Sequence, residues 1–396
     1  APEGGIKIDG DGVEISGTLS ALSGRISVTA SLSDLVLTEG SRILASGYNK
    51  PESFSANEDL PMGDLPQGGG SISLTSQQGD LVFEEGGLID VSGSQPVIGY
   101  FQNEDGTIDA RMWASDAGSL ELAFEGELDL RGTMKGQSRL NGLKGGVLVV
   151  EKRGFEGLYT ISHEALTRYQ EAGFEDLTFS SWEGLTFARD FVDGETPFIV
   201  ERRLTLDAPR IEGVPESADT TDDVPAIEFA QEDAVAVDDG AGMEGSQESG
   251  VTVALRAPWM TLANSAEKYP PQTGLREQSL VPGDDTLVLS GDFVDVQGSV
   301  ALSGFEGVRL EADKDLRLSD EMYATQWQGL MTVSGNLTLQ AGRVYPTTLS
   351  NFTIRAESGK VTTLPAADAA DGDIFSAGGR MVIEANGIEH RGHVTA

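Results

Sequence analysis

Leu120-Glu121-Leu122-Ala123-Phe124-Glu125-Gly126-Glu127-Leu128-Asp129-Leu130-Arg131-Gly132 decides how this chain folds. Leu120, Leu122, Phe124, Leu128 and Leu130 share one parity, while Glu121, Glu125, Glu127, Asp129 and Arg131 share the other. Successive side chains of a strand point to opposite faces, so this period of two describes short strands with one face buried and one in water.

The cadence recurs along the chain. It is found at Gly24 to Val28, Leu35 to Leu37 and Ile43 to Ala45, and again at Gly70 to Leu74, Leu81 to Phe83 and Leu88 to Gly93. Leu287 to Leu289 with Val294 to Val296, and Val308 to Leu310 with Leu316 to Leu318, repeat it further on. An antiparallel sandwich would favour two-residue Asn-Gly or Asp-Gly hairpin loops; here the corners vary, and whole strand-turn-strand units of roughly 20 residues follow in tandem. One unit cannot bury its apolar face alone, so the units are expected to stack as coils at about 4.8 Å per rung. That gives an all-β parallel β-helix, a solenoid of about 14 or 15 coils and a rod of roughly 70 Å.

Composition agrees with a solenoid. The chain has 396 residues, too many for one compact core, with 50 glycines, 15 prolines and 39% apolar residues. Sixty-four acidic against 27 basic residues give a net charge of −37, which repels phosphate backbones and anionic lipid, so no nucleic-acid partner is expected. Cysteine is absent, which leaves burial and backbone ladders to hold the core. No apolar run is long enough to span a membrane. Residues Ile383 to Ala396 align with Ile8 to Ala21 at five identities, and from this the whole of 1–396 is read as a single shaft fragment continuing beyond both ends.

Four stretches break the cadence and are expected as insertions: 48–68, 95–117, 213–249 and 264–285. The third carries eleven acidic and no basic residues, which predicts a polyanionic loop. A flanking helix is expected at 162–172, with Ser162 as N-cap, Gly173 at the C-terminal turn, and Leu166 and Tyr169 on the face toward the rod.

Residues that could carry chemistry are few. His163 opens a helix without a second histidine four residues on, and His390 and His393 lie in a terminal strand; none makes a zinc motif. No nucleophile elbow or phosphate loop is present, so no catalytic residue is assigned and the chain is not expected to be an enzyme. Asp9, Asp11 and Glu14, and separately Asp219, Asp222 and Asp223, supply oxygens at calcium-like spacing without completing a loop motif. Calcium is the one cofactor with any candidate ligands, and turn chemistry explains the same residues. Tyr100, Phe101 and Trp113 in the second insertion make a contact loop that could stack a glycan or pack on the rod.

Gly335 to Thr348 followed by Phe352-Thr353-Ile354 resembles segments of filamentous-haemagglutinin-like large exoproteins of the two-partner secretion family. So do Gly173 to Phe179, Leu204 to Ile211 and Gly86 to Gly93. The resemblance implies a right-handed β-helical shaft on the bacterial outer cell surface or secreted, exported through an outer-membrane β-barrel transporter. It also implies adhesion, aggregation or delivery of a terminal toxin as the role of the whole, with a cell-surface or matrix ligand as partner. Two other classes share the architecture: a subunit of a homomeric extracellular filament or lattice, which would self-associate, and a polysaccharide-processing enzyme, which would line one groove with clustered acids and bases.

Overall fold

The computed structural model describes residues 2–51, 63–191, 196–214, 250–269, 280–324, 326–367 and 376–395, with only the main chain of Phe101 and Gln102. Its backbone is all-β and largely parallel. One sheet runs the length of the described chain as a path of thirteen strands taken in sequence order, from Gly5–Gly10 to Gly387–His390. Ile6 pairs with Ile26 at a spacing of 20, Leu177 with Leu204 at 27 and Leu337 with Val361 at 24. Thirteen rungs replace the expected 14 or 15, because several units are longer than the N-terminal repeat. At about 4.8 Å per rung the stack is about 58 Å long.

Up to residue 135 each unit adds two more strands. Val13–Ile15, Leu35–Leu37, Leu81–Phe83 and Leu128–Leu130 form one four-stranded sheet, and Thr18–Ser20, Arg42–Leu44, Leu88–Asp90 and Thr133–Lys135 form another. From Tyr159–Ile161 onward a seven-stranded sheet ending at Arg380–Glu384 takes their place.

The alternation read from the sequence builds the core. Ile8, Val28, Leu74, Leu122, Val150, Phe179, Leu206, Leu262, Val296 and Leu318 stand one above another through ten consecutive rungs. All but Ile8 are buried. Burying each such side chain is worth about 1.5–3 kcal/mol, and no unit could collect that without its neighbours. Leu287 to Val296 and Val308 to Leu318, read as paired short strands, are single strands Asp285–Gln297 and Phe305–Ser319; register shifts at Gly291/Phe293 and Ala312/Asp315 mark where each bends.

A column of glycines lets the rungs close. A Cβ on Gly70 would lie 2.0 Å from the carbonyl oxygen of Gly24, and one on Gly118 would lie 1.9 Å from that of Gly70, so main chain touches main chain at this corner.

The helix spans His163–Glu171. Ser162 Oγ accepts from Ala165 N at 3.0 Å, Gly173 takes φ +88°, and Leu166 and Tyr169 are buried, as the capping signals predict. Among the described residues no helix is long and apolar enough to cross a membrane.

The interruptions lie at strand ends. Asn49–Lys50 pairs antiparallel with Leu65–Pro66, and Val97–Gln102 with Ile108–Trp113. The stretch 264–285 contributes a 3-10 turn at Ala266–Lys268, and its end, from Asp285, already belongs to the long strand. Of the acidic insertion, residues 215–249 lie outside the described residues. Its two stems meet at one buried carboxylate: Val214 N and Val251 N both donate to Asp285, each at 2.7 Å.

Candidate functional site

Parallel register brings together residues that are far apart in the chain. Ser76 pairs with Phe124, Phe124 with Lys152, and Lys152 with Ser181. The next residues, Gln77, Glu125, Arg153 and Trp182, therefore turn out of the sheet at the same corner of four consecutive rungs. Two rungs beyond, Ala266–Lys268 turns at that corner after the strand Trp259–Ala263. These turns line an open cleft of about 760 Å³.

Its aromatic wall comes from three of the turns. Gly154 and Gly157, at φ +79° and +77°, fold the turn that carries Phe155 and Glu156. The rings of Phe155 and Trp182 are 5.6 Å apart, and Phe155 stacks parallel to Tyr269 at 6.5 Å. Phe155 and Trp182 are half-buried.

Charged groups fix the wall and set its sign. Glu151 accepts from Trp182 Nε1 at 3.2 Å and from Arg153 Nε and Nη2 at 3.0 and 2.8 Å, so the indole and the guanidinium are held by one carboxylate. Lys268, 4% exposed, contacts the carboxylate of Asp207, which also accepts from Ser265 N at 2.8 Å and from Ser265 Oγ. Burial pulls the Lys268 amine below its ordinary pKa, and the Asp207 charge opposes that shift. Burial also raises the Tyr269 phenol well above its usual range. Glu125, Glu151, Glu156 and Glu267 outnumber the lining cations Arg153 and Lys268, both of which already have acidic partners; the neighbouring Lys152 ammonium, which donates to the carbonyl oxygens of Glu125 and Gly126, also interacts with Glu125 and Glu156. The cleft thus offers aromatic carbon and carboxylate acceptors, and it repels anions.

The residues singled out in the sequence lie elsewhere. Asp9 is ion-paired with Lys7 at 2.8 Å, and Asp11 and Glu14 are exposed on the first unit. Asp219, Asp222 and Asp223 are outside the described residues. Among the described residues no group of three or more His, Cys, Asp or Glu is placed to hold a metal ion. The aromatic loop is described only in part. The hairpin register sets Val97 opposite Trp113 and Tyr100 opposite Ala110, so Tyr100 and Trp113 point to opposite faces and make no common platform. Only the main chain of Phe101 is described. Tyr100 instead shares a face with Ile98, Ile108 and Met112, all about half exposed.

Phe155, Trp182 and Lys268 were missed because each follows an alternating run and reads as an ordinary turn residue. The available signal was position: each comes within a few residues of the end of a main-sheet strand.

No family model, curated protein or solved structure matches this chain.

Proposed function

We propose that this chain is a right-handed parallel β-helix of the filamentous-haemagglutinin-like kind, acting as a structural and adhesive shaft of a large exoprotein at the bacterial surface. The supporting observation is the path of thirteen parallel strands in sequence order, which sets length and stiffness while the turns and hairpins are free to vary. A net charge of −37 suits an exposed rod that must not collapse on its neighbours. Export through a two-partner outer-membrane transporter belongs to the same reading, and a chain without cysteine meets no disulfide barrier on that route.

Two measurements test it. Small-angle scattering of the purified chain should give the profile of a rod, and a compact sphere would overturn the shaft. Display of the chain on a non-adherent bacterium should increase retention on host or sister cells under flow. Unchanged retention on both would overturn adhesion.

A further inference from the structure

We propose that the cleft around Phe155 and Trp182 binds an uncharged or amine-bearing oligosaccharide laid along the stack; this deepens the adhesive reading and rests on it. Three features of the cleft converge on that ligand.

The first is the kind of surface. A sugar ring presents apolar C–H faces and a rim of hydroxyl donors, and it is matched by half-buried aromatic rings beside carboxylate acceptors. Phe155 and Trp182 supply the rings, and Glu125, Glu156 and Glu267 stand exposed around them. Trp182 is anchored through its Nε1 to Glu151 and Phe155 is stacked on Tyr269, so little side-chain freedom is lost on binding.

The second is periodicity. Lining residues leave four consecutive rungs at Gln77, Glu125, Arg153 and Trp182 and resume two rungs further on at Glu267 and Lys268, a span of five rung intervals or about 24 Å. A pyranose unit in an extended chain is about as long as one rung spacing of about 4.8 Å. Turn side chains repeating at that interval can meet successive sugars in similar ways.

The third is charge. Four glutamates line the cleft, its two lining cations are committed to Glu151 and Asp207, and the neighbouring Lys152 ammonium is bonded to the carbonyl oxygens of Glu125 and Gly126 beside acidic groups that outnumber it, so uronates, sulfates and phosphates are disfavoured while an amine is welcome. The other described clefts lack this combination. At the start of the helix, the Asp190 carboxylate is already occupied by His163 N and Glu164 N, both at 3.0 Å. The groove at the glycine corner offers mostly main chain.

The test is calorimetric titration of the intact chain with cellohexaose, chitohexaose, a glucosamine hexamer and a galacturonate hexamer. At least one of the first three should bind with a Kd between about 10 μM and 1 mM, and the galacturonate should not. Trp182→Ala should weaken binding about tenfold, as loss of one stacking face implies, with circular dichroism unchanged. Glu156 is exposed, so Glu156→Gln preserves the fold and should weaken the glucosamine hexamer more than the neutral probes. Absence of binding by all three, preference for the galacturonate, or wild-type affinity in both variants would overturn the proposal. A rod-like scattering profile alongside such a failure would leave the shaft standing and remove only the sugar site.

Discussion

Replacing Lys268 by methionine isolates the most deeply buried ion pair of the cleft. The ammonium is 4% exposed at its side chain and Asp207 12%, so solvent screens the pair poorly. Methionine keeps the volume and removes the charge, leaving the Asp207 carboxylate with two donors, the N–H and hydroxyl of Ser265. Removing one partner of a buried pair costs about 3–5 kcal/mol, and the retained Ser265 bonds place this case near the lower figure. Lys268→Met/Asp207→Leu removes both charges and should recover part of the loss, giving a coupling energy of at least about 2 kcal/mol. The assay is urea denaturation followed by tryptophan fluorescence, with amide exchange across Arg203–Asp207 and Trp259–Ala263, the strands the pair ties together. Stacked units can open locally, so loss of protection should be concentrated in those rungs. A single-variant cost below about 1 kcal/mol, or additive behaviour of the two substitutions, would refute the reasoning.

Burial raises the phenols of Tyr159, Tyr169, Tyr269 and Tyr323 above their ordinary value of 10.0. Their contribution is fully present below pH 10 and is lost above it, because the unfolded chain then ionises while the fold holds the proton. The loss is about 1.4 kcal/mol per tyrosine per pH unit. The lowered Lys268 amine has the opposite sign and adds stability as pH rises toward 10.5. Urea midpoints should therefore drop steeply above pH 10, with the tyrosinate absorbance of these four residues appearing together with unfolding. Asp285→Ala should cost about 2–4 kcal/mol by orphaning Val214 N and Val251 N, read as a drop in melting temperature. Gly70→Ala should cost about 2–3 kcal/mol, since its Cβ would strike the Gly24 carbonyl, while Gly17→Ala, with nothing within 4 Å, should be neutral or slightly stabilising; thermal melts distinguish the two.

Much of the fold was legible in the residues. Alternation of Leu120, Leu122 and Phe124 with acidic neighbours separates inside from outside, because a strand has only two faces and water selects between them. The helix was equally local: Ser162, Gly173, Leu166 and Tyr169 act within a few residues of one another. The rung count, the bends inside Asp285–Gln297 and Phe305–Ser319, and the opposite facing of Tyr100 and Trp113 were decided by register, which depends on partners across a sheet.

The cleft belongs wholly to that second class. Gln77 and Lys268 are 191 positions apart, and no local propensity relates them; they line the same cleft because the strands before them stack at fixed register through six rungs. The sequence by itself determined which side chains leave water and that the strands need neighbours to bury them. Which turns stand beside each other, and so where aromatic rings meet carboxylates, was decided only when parallel stacking converted distance along the chain into adjacency across the sheet.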